Sequence, residues 1–122
     1  MNARATIAGL EALNQRMRAA ARAGLFEGAN VIMTDAKRRV PVDLGTLKGS
    51  GQVHEPTETA DGLRCRMGFG DGAEGYAIVQ HERLDFRHPD GGEAKYLENA
   101  VNAHADAAFR VMAKRLKGAL TG

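Results

Sequence analysis

The chain has 122 residues, of which 43% are hydrophobic and 26% charged, with a formal net charge of +2. This composition is ordinary for one globular domain that buries a core without disulfides or metal. The one cysteine, Cys65, excludes an internal disulfide and suits assembly in a reducing compartment. No apolar run reaches membrane-spanning length, and no signal peptide is expected at the N-terminus.

Charge is unevenly placed. Residues 1–39 carry seven bases against three acids, and residues 94–122 carry five against two. Residues 40–93 carry ten acids against five bases. Most of these side chains are expected on solvated faces, but basic ends around an acidic centre also suit head-to-tail contact between copies.

In chain order, residues 6–39 have helical periodicity. Ile7, Leu10, Leu13, Met17, Ala20, Ala21, Val31, Ile32 and Ala36 recur at steps of three and four. Gly24 and Gly28 interrupt the pattern, and a kink or break near 24–28 is expected in preference to a close approach of another backbone. Pro41 ends the helix and moves Val40 out of the α region. Asp43 to Gly45 then turn the chain, and Thr46 is placed to cap a single helical turn.

A sheet is expected over residues 50–87. Residues 50–55 form a weak strand, and the polar stretch 56–62 is expected to be a hairpin loop. Residues 63–69 alternate: Leu63, Cys65, Met67 and Phe69 fall on one face, Arg64 and Arg66 on the other. Residues 76–82 are apolar on both faces and suit a central strand. Residues 84–87 form either a short extra strand or a bent loop. A second helix spans 93–118, with Asp90 and Glu93 at capping-box spacing and Gly118 closing it. The expected class is α+β: a long N-terminal helix, an antiparallel sheet of three to four strands, and a long C-terminal helix packed on one face, in a single domain.

Candidate chemistry is sparse. His81, Glu82, Asp85, His88 and Asp90 lie within ten residues, yet no helix presents two histidines together, and a polar loop explains them better than a metal site. Cys65, on an apolar strand face, reads as a buried thiol rather than a nucleophile. Ser50 and His54 share a strand face, but no motif makes the serine a nucleophile. The segment 68–72 lacks the Lys-Ser/Thr of a phosphate loop, and a hairpin turn fits it better. Arg64 and Arg66 could meet phosphates, without interleaved aromatics for base stacking.

Two segments in order carry more information. The first helix ends in "AKRRVPVDLGTLKGS"; downstream comes "YAIVQHERLDFRHPDGGEAKYLENAV". Together these resemble the small neck or tail-completion proteins of long-tailed bacteriophages, often described as minor capsid or tail-component proteins. The matching positions are Val40, Pro41, Val42, Asp43, Gly45, Leu47, Lys48 and Ser50, then Tyr76, Ala77, His81, Glu82, Lys95, Tyr96, Leu97, Glu98 and Ala100. Leu44 stands where threonine is common, and Lys48 where arginine is common.

The resemblance implies a structural virion protein of the head–tail connector without enzymatic activity or cofactor. It implies a homo-oligomeric ring, expected to be hexameric, that joins head-closure proteins to tail-terminator or tail-tube proteins in the virion neck. DNA would pass non-specifically through its lumen, with no membrane and no small-molecule substrate, after assembly in the host cytoplasm. Pro41 and Gly45 would set the angle at which the helix leaves the sheet. Lys48, Arg64 and Arg66 would face a neighbouring copy or the channel. The alternatives are a small nucleic-acid-binding or RNase-like module, suggested by the basic helices with Arg64 and Arg66, and, less favoured, a metal-dependent hydrolase.

Overall fold

The computed structural model describes residues 3–41, 45, 49–60, 62–69, 76–80, 83–87 and 94–121, with only the backbone described for residues 3–5, 76–80, 83–87, 94 and 95. Helix α1 spans Ala3–Arg39. Five strands follow: β1 (Gln52–Val53), β2 (Thr57–Thr59), β3 (Gly62–Gly68), β4 (Tyr76–Gln80) and β5 (Arg83–Arg87). Helix α2 closes the chain over Ala94–Thr121. The expected α+β architecture of two long helices and a small antiparallel sheet is the one observed.

The sheet is a meander ordered β1–β3–β4–β5, and β2 pairs with the other end of β3. Strands β1 and β2 therefore lie in succession along one edge of β3. Gln52 pairs with Gly68 and Val53 with Met67, while Thr57 pairs with Arg64 and Thr59 with Gly62. Pro56, which has no N–H to give a ladder, lies between the two short strands. The His54 amide keeps the edge attached by donating to the Arg66 carbonyl at 2.8 Å. Residues 56–62 are therefore not one loop: Thr57–Thr59 is strand, and the turn closes between Thr59 and Gly62. Gly62 has φ 124°, a conformation that L side chains rarely adopt.

Strand β4 lies between β3 and β5, the central place its two-faced apolar pattern implied. Residues 83–87 form a full strand, paired antiparallel from Tyr76↔Arg87 to Gln80↔Arg83. Along β3 the expected alternation holds. Cys65, Met67 and Phe69 are buried and Leu63 packs against the core, while Arg66 is exposed and Arg64 half-buried.

The two helices run antiparallel: Gly24 lies against Met112, Gly28 against Ala108, and Asp35 against His104. The break expected near residues 24–28 is absent, since α1 continues unbroken to Arg39. The glycines serve close approach instead. A Cβ on Gly24 would stand 3.0 Å from the Met112 Cα, and one on Gly28 3.0 Å from the Ala108 carbonyl oxygen. Four of the core residues, Ala29, Ala36, Ala100 and Ala108, are alanines, as tightly spaced helices require. Leu25, Ile32 and Met33 of α1, with Leu97 and Met112 of α2, complete the helical side of a core closed by Cys65, Met67 and Phe69. Helix α2 also passes through Gly118 to Thr121, beyond the stop expected at the glycine. The proposed cap pair, Asp90 and Glu93, lies outside the described residues.

Charge pairs fasten the helices at two levels. Arg115 Nε donates to Glu27 Oε2 at 2.7 Å, with both side chains about half exposed. Asp35 accepts from Arg39 Nε at 2.6 Å, and His104 Nε2 of α2 lies 3.4 Å from its other oxygen. The Asp35 carboxyl is lowered below its ordinary value, chiefly by the hydrogen bond from Arg39, against the opposing effect of burial and with help from the charges of Arg39 and His104.

Glycine-to-alanine changes inside helices normally stabilise by about 0.5–1 kcal/mol. Gly28→Ala is expected to do the reverse and lose about 1–3 kcal/mol, because the added carbon meets backbone. Gly9→Ala, with nothing within 4 Å of the added carbon, should leave the melting temperature unchanged or higher. Equal responses at the two positions in thermal melts would contradict the close-approach account.

Asp35 carries a pH dependence. Its folded carboxyl ionises below the ordinary value of 3.8, so its stabilisation is complete above that value and is lost as pH falls through the folded pKa. Asp35→Asn should lower the melting temperature at neutral pH and narrow the difference between neutral and acid melts, and an unchanged difference would contradict this role.

Candidate functional site

Three surfaces merit consideration: the corner after α1, the outer face of the sheet, and a groove beside the β2–β3 hairpin. At the corner, Val40 is buried and its amide donates to the Lys37 carbonyl at 3.3 Å, while Pro41 is exposed. Asp43, Leu47 and Lys48 lie outside the described residues. Gly45 is exposed, with nothing within 4 Å of an added Cβ. The crowded glycine of this corner is Gly51, which the sequence reading passed over. A Cβ there would stand 2.8 Å from both Lys37 Cε and Phe69 Cε1 and 3.0 Å from Met33 Sδ. Gly51 lets the chain cross between α1 and the end of β3 before entering β1. Ser50 beside it is half-buried at a turn, outside β1, and His54 follows that strand, so the two do not share a strand face.

On the outer face of the sheet, Arg64 and Arg66 alternate with the inward residues of β3. The Arg64 Nε is buried without a hydrogen-bond partner among the described residues. Register sets Arg66 opposite Ile78, and Ile78 opposite Asp85. Gly68 pairs with Tyr76, and Tyr76 with Arg87. Arg64 and Arg66 thus lie on the interior strand β3 of a sheet whose β5 edge carries Arg83 and Arg87. Of the signature positions downstream, Tyr76 and Ala77 open β4, and His81 and Glu82 lie outside the described residues. Tyr96 is half-buried against the core and Leu97 is fully buried, which makes the start of α2 a packing element.

Cys65 is no nucleophile. Its Sγ donates to the His54 carbonyl at 3.3 Å, and burial, with a smaller contribution from Glu55, pushes the thiol up to about 12. Only a negligible thiolate fraction is present at neutral pH. Among the described residues no group of three His, Cys, Asp or Glu could hold a metal; of the cluster weighed for that role, His81, Glu82, His88 and Asp90 lie outside them. No described helix is long and apolar enough to cross a membrane.

The groove was not anticipated from the sequence. It has a volume of about 820 Å³ and lies between the far halves of both helices and the β2–β3 hairpin. Its walls are Met17, Ala21 and Leu25 of α1, Phe109, Met112 and Leu116 of α2, and Leu63 at the hairpin. Arg18 and Glu58 bracket the rim in a weak, largely exposed ion pair of 3.6 Å. The Arg22 guanidinium donates to the Pro56 carbonyl and ties the hairpin to α1. An apolar trough with Arg18 and Glu58 at its rim suits binding a nonpolar surface.

Compared with known families, residues 4–99 match the model of the family described as "Bacteriophage HK97-gp10, putative tail-component". The chain belongs to this family. The match runs from the first turn of α1 through the whole sheet and into the start of α2, so it covers the helix–sheet unit and not a single motif. No curated protein and no solved structure matches the chain. A structural role in the phage virion follows from the family, in agreement with the resemblance seen in the two ordered sequence segments.

The corner provides a direct comparison of two glycines. Gly51→Ala is expected to destabilise the fold by about 1–3 kcal/mol through overpacking against Phe69 and Met33. Gly45→Ala should change the unfolding midpoint by no more than about 0.5 kcal/mol. Chemical denaturation of the two variants decides this, and the opposite ranking would refute the assignment.

Proposed function

We propose that this tail-component protein forms a ring in the virion neck, expected to hold six copies, between head-closure proteins and the tail terminator or tube. The observation that carries this reading is the family match across α1, the sheet and the start of α2. Three features of the chain support it. The outer sheet face bears Arg64 and Arg66, with Arg83 and Arg87 in β5, which suits loose, sequence-independent contact with passing DNA phosphates. Strand β5 has no further strand beyond it among the described residues, so that edge can pair with a neighbour. Basic terminal segments around an acidic centre suit a heterologous contact, which closes into a ring when the rotation permits.

The exposed corner fits the same role. Open space at Gly45 leaves room for contact with another chain. Lys48 is assigned to a neighbour or the channel, and assembly takes place in the host cytoplasm. The chain acts without catalysis or cofactor, and the groove's apolar lining supports that reading.

Deleting the gene from a phage that carries it should yield DNA-filled heads that fail to join tails, with full rescue by the wild-type gene in trans. Density for this fold at the head–tail junction of rescued particles completes the expectation. Infectious, normally tailed particles from the deletion would refute a neck role, and density confined to another part of the virion would relocate the protein.

A further inference from the structure

Helix α1 is nine residues longer than α2, and the excess lies at one end. Gly24 faces Met112, Gly28 faces Ala108, and Arg16 Nε reaches the Ala119 carbonyl at 3.5 Å, so the last turn of α2 stands beside Arg16. Residues 3–14 then continue past the end of α2 as a helix about 18 Å long. On that overhang Ile7 and Leu10 are 56% and 61% exposed. At 3.6 residues per turn, Ile7, Leu10, Met17, Ala21 and Leu25 fall within a stripe about 80° wide. The lower three positions line the groove, and the upper two extend the same stripe into solvent.

We propose that residues 3–14 form an arm that docks in the groove of a second copy of this chain. The arm and the groove are two uncovered apolar surfaces in one molecule, and they cannot meet each other within it. One unbroken helix joins them, which holds Leu10 about 10 Å from Met17 and pointing away along the axis. Between copies they fit as an amphipathic helix fits a trough. Ile7 and Leu10 pack on Met17, Phe109 and Leu116 of the receiving copy.

Charge favours the same pairing. The first ten residues carry Arg4 and no acid, whereas β2, which walls the groove, carries Glu58 and no base. Glu58 stands at the rim, held only by its weak pair with Arg18. An arm about 18 Å long that presents two large apolar side chains covers less than the roughly 1,200 Å² at which stable isolated interfaces begin. Every chain gives one arm and receives one, so a closed set is held where a pair is not. The contact deepens the ring proposed above and relies on that proposal only for the number of copies that close.

The test mixes a Leu10→Cys protein with an Ala113→Cys protein under mild oxidation at the highest soluble concentration. Both positions are exposed, Ala113 lines the groove, and the native Cys65 is buried and does not compete. The expected product is a disulfide between the two different variants, and adding Ile7→Asp to the Leu10→Cys arm should cut its yield by at least about tenfold. Cross-links only between two Leu10→Cys chains would show arms pairing with arms and overturn the proposal. So would no cross-link, or a particle in which Leu10→Cys links only to a different virion protein. A neck ring that forms without the mixed cross-link removes the arm and leaves the ring; the mixed cross-link in a protein found outside the neck does the reverse.

Discussion

The rest of the structure depends on how closely α1 and α2 approach. Gly24 and Gly28 present bare backbone to Met112 and Ala108, and the neighbouring core positions are filled by alanines. Such packing gains dispersion contacts from backbone atoms where larger side chains would hold the helices apart. It also explains a core with few aromatics: among the residues whose side chains are described Phe69 is the one fully buried aromatic, and Met33, Met67 and Met112 fill the irregular gaps around it. Because close packing works only in one register, it fixes which residues of the two helices stand together. The Arg115–Glu27 and His104–Asp35 pairs sit on that register and reinforce it.

Fixed register has consequences at both ends. At one end, the buried Val40 closes α1 and the crowded Gly51 leads into β1 at the sheet edge. At the other, α1 outruns α2, so Ile7 and Leu10 remain in water, and burial of each would gain about 1.5–3 kcal/mol. An isolated domain gains nothing from such an extension. The overhang makes sense in a protein that works in contact with other chains, as the membership in a tail-component family implies.

Much of this was legible locally. The alternation in β3 reported its two faces because one face is buried, and strand periodicity is unambiguous in that case. Apolar residues on both faces of β4 reported its central place. What was missed needed a partner distant in sequence. Gly24 and Gly28 look like helix breakers by propensity; only Ala108 and Met112, eighty or more positions away, turn them into contact points. Gly51 was overlooked beside the more conspicuous Gly45 because its crowding comes from Lys37 and Phe69, on two other elements. Thr57–Thr59 has the sequence of a loop, since Pro56 and polar residues mark a turn, yet β3 is long enough to pair with a second short strand after the proline. The groove had no local signal, since its walls come from α1, α2 and the hairpin together. The family resemblance, by contrast, was readable because it rests on the order of two segments, and the model match spans both.

The two surfaces left for other molecules lie on opposite sides of the sheet. Arg66 projects from the outer face, while the groove opens on the helical side, where Leu63 points inward from the same strand. A contact with nucleic acid through the arginines would therefore not obstruct a contact between copies through the helices. The two interactions also differ in physics. Phosphate contacts of exposed arginines weaken as salt rises and allow DNA to slide, whereas an apolar helix seated in a trough is nearly indifferent to salt. The ring proposed above would need that division: its inner surface must not grip what passes, and its seams must hold at any ionic strength. In this fold the division follows from one strand, β3, whose alternating residues supply arginine to one side and core to the other.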